Sequence, residues 1–132
     1  RTLAESLGVA DDVLFVGALS RTDLADLFAM ASLTLVPSRS ETFGLVALES
    51  AASGTPVVGF SAGGLVESIA DGVSGVLVDS RDPREWASVI ALLLADHGEV
   101  ERLQFSARHH ALGFTWGATT TALLGVYSSL LS

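Results

Sequence analysis

Short apolar or β-branched runs alternate along this chain with longer stretches in which apolar residues return every three or four positions. The short runs predict strands at 13–17 (Val-Leu-Phe-Val-Gly), 33–37 (Leu-Thr-Leu-Val-Pro), 56–60 and 75–78. The longer stretches predict helices. One covers 3–7 and stops at Gly8, and a second runs to about Ala31 after Ser20-Arg21-Thr22-Asp23, where Ser20 can cap the first amides. A third starts at Phe43, with Leu45, Leu48 and Ala52 on one side, and Gly54 ends it ahead of Thr55-Pro56. A short helix at 64–70 leads to an Asp71-Gly72 turn. Asp82-Pro83-Arg84-Glu85 opens another that runs to about Ala95, and helices at 99–112 and 116–131 complete the series. Strands separated by helices give an α/β fold with a doubly wound parallel sheet of about four strands. Ligands of such sheets bind at the carboxyl ends of the strands.

At 132 residues the chain supports one modest core. Hydrophobic residues make up 49% of it, which is high for a free-standing domain, so some apolar surface is expected to meet a partner. A formal charge of −8 argues against a nucleic-acid binder or a general binder of anionic membranes. Lysine is absent and the arginines are scattered, so attraction for phosphate has to come from local features such as Arg39 and a helix dipole. The absence of cysteine excludes disulfides and thiolate zinc sites and fits a reducing compartment. The first residues show no signal-peptide pattern. A cytoplasmic setting is expected, peripheral to the inner face of a membrane at most.

The richest stretch is 38–49, Ser-Arg-Ser-Glu-Thr-Phe-Gly-Leu-Val-Ala-Leu-Glu. A strand, a polar loop and a helix meet there, so the free amides of Gly44, Leu45 and Val46 and the positive end of the helix point above the sheet. Phosphate is the natural guest of such a corner. Gly44 would let backbone approach a diphosphate, and Phe43 would brace the loop from below. Glu49 would lie roughly 8 to 10 Å past the helix start, about the distance from a sugar-proximal phosphate to the ribose. Glu41 could then accept hydrogen bonds from a transferred sugar and Glu49 from ribose hydroxyls. Two glutamates eight positions apart also arise by chance as solvated surface residues, so the pair alone does not decide.

The neighbours add weight. Pro37-Ser38, Glu41 to Glu49, Gly54-Thr55-Pro56-Val57-Val58, and Gly63-Gly64 with Glu67 occur in one order. Together they resemble the family 4 retaining glycosyltransferases, among them the D-inositol-3-phosphate glycosyltransferases and the GDP-mannose-dependent mannosyltransferases. The resemblance implies the carboxyl-terminal, donor-binding part of an enzyme with two facing Rossmann-like domains, the GT-B architecture. Residues 1–132 would form a single truncated domain without the acceptor domain. It also implies a metal-independent, cofactor-free α-retaining transfer of a hexosyl group, in which the acceptor hydroxyl approaches the face the diphosphate is leaving. A departing phosphate oxygen would take the acceptor proton. Glu41 would orient and stabilise the sugar, Phe43, Gly44, Leu45, Val46 and Glu49 would bind the donor, and Leu19 would contact the base through its backbone or merely close its helix. A UDP-sugar is preferred to a GDP-sugar, and the acceptor, a sugar, an inositol phosphate or a glycolipid, would bind through the missing domain. No Asp-x-Asp metal signature occurs.

In the family two further strands, with a glycine-rich segment and a basic pair that grips the diphosphate, would lie between the 13–17 and 33–37 strands. Without them the chain must re-pair its strands, borrow from a second copy in a swapped dimer, or leave edges exposed. The alternative function is a non-catalytic nucleotide-binding or protein-interaction module derived from such an enzyme. A flavodoxin-type domain has no motif to support it. Gly63-Gly64 is expected to make a tight turn and Glu67 to serve as a cap or surface residue. His97, His109 and His110 have no acidic partners at metal-ligand spacing and are expected to be solvated. Trp116, Leu123, Tyr127 and Leu130 form an apolar stripe suited to packing on another domain.

Overall fold

The computed structural model describes residues 2–131. Among these, three strands form one parallel sheet, β1 (Thr34–Val36), β2 (Val57–Phe60) and β3 (Gly75–Val78), in the order β1-β2-β3. Thr34 pairs with Val57, and Val57 with Gly75, so the strands march across the sheet in chain order. Seven α-helices accompany them, α1 (Thr2–Ser6), α2 (Arg21–Met30), α3 (Leu45–Ala52), α4 (Leu65–Ser68), α5 (Pro83–Ala95), α6 (His97–Ala111) and α7 (Trp116–Leu130).

Both faces of β2 are covered, as a parallel sheet requires. Val57 joins Val36, Ala47, Leu65 and Ile69 in one cluster, while its neighbour Val58 joins Val78, Leu93 and Leu103 in another. Alternation along the strand sends adjacent side chains to opposite faces. Helices α3 and α4 therefore supply one layer, and α5 with the first half of α6 the other. Ser50 and Thr55, both fully buried, are satisfied internally. Ser50 donates to the Thr55 carbonyl at 2.9 Å and accepts from the Thr34 hydroxyl at 2.8 Å, and Thr55 donates to the Phe28 carbonyl, which ties α2 to the sheet.

The helix starts follow the cap chemistry. Ser20 Oγ accepts from the Asp23 amide at 3.2 Å and donates to the Asp23 carboxylate at 2.7 Å. Asp82 accepts from the Arg84 amide at 2.9 Å with Pro83 beginning α5. Asp96, which sequence inspection overlooked, accepts from the Glu99 amide at 3.0 Å and opens α6 two residues ahead of the expected start.

Four expectations need correction. Residues 13–17 are not a strand and take no place in the sheet, so there are three strands and not about four. Strand structure depends on a ladder partner, and β1 pairs instead with β2. Within one copy the segment is exposed, with Leu14 at 84%. For the same reason β1, whose apolar run ended by proline suggests a buried parallel strand, is an edge, half-exposed at Leu35. In α3 the buried side carries Ala47, Leu48, Ser50 and Ala51, whereas Leu45 and Ala52 face outward. The buried side is the one that meets β1, β2 and α6, where the small side chains of Ala47, Ser50 and Ala51 allow close packing, and Gly44, with a left-handed φ of 82°, delays the helix start to Leu45. Finally, His110 is half-buried and engaged, while His97 and His109 are exposed. No helix among the described residues is long and apolar enough to cross a membrane.

Candidate functional site

The loop after β1 is held by the turn after β2. The Gly64 amide donates to the Glu41 carbonyl at 2.8 Å, and a Cβ on Gly64 would collide with the backbone of Phe43 and Thr42. Glycine is required there because two main chains touch. Gly63-Gly64 is thus a tight turn, as expected, and also the clamp that fixes Glu41 and Phe43. Gly44 is buried, and a side chain on it would meet Ser68 Oγ at 2.6 Å and Leu65 Cδ2 at 2.9 Å. Its missing side chain therefore makes room for α4, a reason different from the close approach of a diphosphate.

The amides at the head of α3 are unused. No side chain caps the helix, and the amides of Gly44, Leu45 and Val46 reach no acceptor among the described residues, whereas those of Ala47 and Leu48 already return to the Gly44 carbonyl. Three free donors and the positive helix end thus follow Glu41 closely in the chain. Because α3 starts at Leu45, the rise to Glu49 is about 6 Å, shorter than the sequence implied.

Glu49 is exposed on α3 and lines a cleft of about 570 Å³ with Arg21, Leu24 and Phe28 of α2, Leu45, and Trp116 of α7. Arg21 is the residue that sequence inspection missed. It stands in the first turn of α2, where a cation opposes the helix dipole. That mismatch is the sequence signal that could have found it. Among the described residues neither Arg21 nor Arg39 has an ion-pair partner, and Arg102 pairs with Glu99 far along the chain. Leu19 is 39% exposed just before α2 and does not line this cleft.

Phe43 is half-buried and does brace the loop. Its ring meets Phe114 edge-on, with centroids 5.9 Å apart, and together with Leu45, Leu48 and Trp116 these rings line a second cleft of about 510 Å³. The structure therefore brings Glu41, Phe43, Gly44, Leu45 and Val46 to one corner and places Glu49 one helical turn along. No cluster among the described residues has the ligands to hold a metal ion.

The sequence profile described as "Glycosyl transferases group 1" matches residues 1–110. The chain belongs to this family. Group 1 glycosyl transferases related to it include the D-inositol 3-phosphate glycosyltransferases of Salinispora arenicola, 48% identical over 98% of this chain and 29% of that protein, and of Mycolicibacterium smegmatis, 45% identical over 98% of this chain and 30% of that protein. The chain spans less than a third of the length of these curated relatives. Among solved structures, sucrose-phosphate synthase from Thermosynechococcus elongatus superposes with a TM-score of 0.86 at 33% identity, covering 98% of this chain and 33% of that one. Anabaena HepE in complex with UDP and glucose gives 0.84 at 28%, covering 97% and 35%. The α/β fold of the group 1 enzymes' carboxyl-terminal domain thus extends over nearly the whole chain.

Proposed function

We propose that this chain is the donor-binding portion of a retaining glycosyltransferase and that it holds a nucleoside diphosphate sugar across the amino-terminal end of α3. One observation carries the reading. Three unused amides at the head of α3 follow Glu41 closely in the chain, and one turn later Glu49 faces a cleft that also holds Arg21. The diphosphate sits on the amides of Gly44, Leu45 and Val46. Glu49 accepts from ribose hydroxyls, and Glu41 accepts from the sugar and stabilises positive charge at the anomeric carbon as the diphosphate leaves. Charge on the leaving group is met by amides, the helix dipole and cations, without a metal. Leu19 contacts the base through its backbone.

UDP is preferred to GDP, a choice supported by the complex of HepE with UDP and glucose and by the identity to enzymes named for D-inositol 3-phosphate. The acceptor, which includes inositol phosphates, sugars and glycolipids as classes, binds on a separate domain. Turnover therefore requires more than residues 1–132. The outer edge of β1 and the exposed 13–17 segment can pair with a second copy, and light scattering reads this out as a dimer.

The test is a titration of isotope-labelled chain with UDP, GDP and UDP-N-acetylglucosamine, followed by amide shifts. Saturable shifts at Gly44, Leu45, Val46 and Glu49 with UDP are expected, and Glu49→Ala should weaken them about tenfold or more, the loss of one hydrogen bond to a charged group. Indifference to every nucleotide in a well-dispersed spectrum would favour the second reading, a non-catalytic interaction module that retains the fold.

A further inference from the structure

The junction of α6 and α7 reaches the motif corner by two routes that converge on one side chain, His110. Its Nε2 lies 3.1 Å from the Ser68 carbonyl, and because a carbonyl oxygen only accepts, Nε2 carries the proton. The imidazole also packs edge-on against Phe114, with centroids 5.1 Å apart, and Phe114 in turn packs on Phe43 at 5.9 Å. Ser68 and Leu65 of α4 border Gly44 in space, and Phe43 adjoins it in the chain. Ser68 Oγ fills the space a Gly44 side chain would need, and Phe43 precedes Gly44 in the chain. His110 therefore reaches Gly44, the residue that precedes α3, from two sides, through the α4 backbone that carries Ser68 and through the ring stack onto Phe43.

We infer that His110, acting with Phe114, is a positioning residue for the anion-binding head of α3: it fixes the walls of Gly44 and so aims the amides of Gly44, Leu45 and Val46. This assignment rests on the function proposed above for what those amides bind, but the mechanical coupling itself does not. A donor truncated to the nucleoside has no phosphate to meet the amides, so the coupling distinguishes UDP from uridine. A general loss of stability would weaken both alike.

Two measurements on the 132-residue chain test it. In the absence of nucleotide, His110→Ala should speed hydrogen exchange of the Gly64 amide, which clamps the motif loop through the Glu41 carbonyl, at least tenfold, while amides of β2 keep their protection. With nucleotide, His110→Ala should raise the Kd for UDP about tenfold and leave that for uridine unchanged. His110→Gln keeps an N–H donor for Ser68 and should restore most of the Gly64 protection. Phe114→Leu should act in the same direction as His110→Ala, and the two together should cost less than their sum, since they share one path. Equal Gly64 exchange in wild type and His110→Ala would overturn the assignment, as would equal UDP affinity. Should wild type ignore UDP altogether, the proposed function falls and the exchange result alone decides the coupling.

Discussion

Glu41 and Glu49 stand at the two ends of one short motif, yet their settings share little. Glu41 lies in a loop whose carbonyl is gripped by the Gly64 amide and whose neighbours are packed against Gly64, Phe114, Leu65 and Ser68. Glu49 is simply exposed on a helix, facing a cleft shared with Arg21. One end of the site is gripped by backbone and ring contacts that arrive from distant parts of the chain; at the other, helical geometry alone sets the carboxylate's position on α3, and α2 and α7 only wall the cleft it faces. Damage to the first should therefore be felt by the fold, and damage to the second only by a ligand.

Gly64→Ala gives the largest expected effect on the first end. A methyl group there has nowhere to go, because the obstacle is backbone of Phe43 and Thr42 and not the tip of a flexible side chain. The loop must lift or the turn must open, at a cost of roughly 3 kcal/mol, the upper part of the usual range for overpacking. Urea unfolding should show a lower midpoint with an unchanged slope. A midpoint equal to wild type would mean that the clamp is looser than its geometry implies.

The second end predicts the opposite pattern. Arg21→Ala removes a cation from the first turn of α2, where it works against the dipole, so stability should stay the same or rise by a few tenths of a kcal/mol. Binding of UDP should nevertheless weaken, and its dependence on salt should flatten, because an exposed charge acts through a screened field. Isothermal titration at two ionic strengths reads both effects. A salt dependence unchanged by the substitution would remove Arg21 from the site and break the contrast drawn between the two carboxylates.

That contrast also explains what was legible in the sequence. Helix α5 with its Asp82 cap and Pro83 and the Ser20 cap were readable, because the chemistry that fixes them lies within a few residues. The amides at the head of α3 were legible for the same reason. The 13–17 run has the composition of a strand, but composition carries no information about a partner, and β1 pairs elsewhere. His110 was read as solvated since its partners, Ser68 and Phe114, are a tertiary matter. For Gly44 the sequence points to the approach of a ligand, and the structure adds a packing reason, Ser68 and Leu65 filling the space a side chain would need.

A third carboxylate, Glu99, calibrates the smallest effect. It is the acid whose partner is unambiguous: Arg102 meets Glu99 Oε1 at 2.6 Å and Oε2 at 2.7 Å and also reaches the Gly72 carbonyl at 2.8 Å. The hydrogen bond from Arg102 holds the Glu99 carboxyl below the usual carboxylate range. A lowered folded value means that the unfolded chain takes up the proton first as pH falls. The stabilisation is accordingly present at neutral pH, begins to fade as pH drops through the ordinary glutamate range, and is gone below the folded value. Both groups are exposed, so the amount is small. Glu99→Gln should flatten only this acidic limb of a stability-against-pH curve and should leave the UDP shifts at Gly44 and Glu49 where they are. Movement of those shifts would show that the Arg102 tether to the Gly72 turn is transmitted through β2 and β3 to the motif corner, and that the corner is coupled to the fold more widely than its clamp at Gly64.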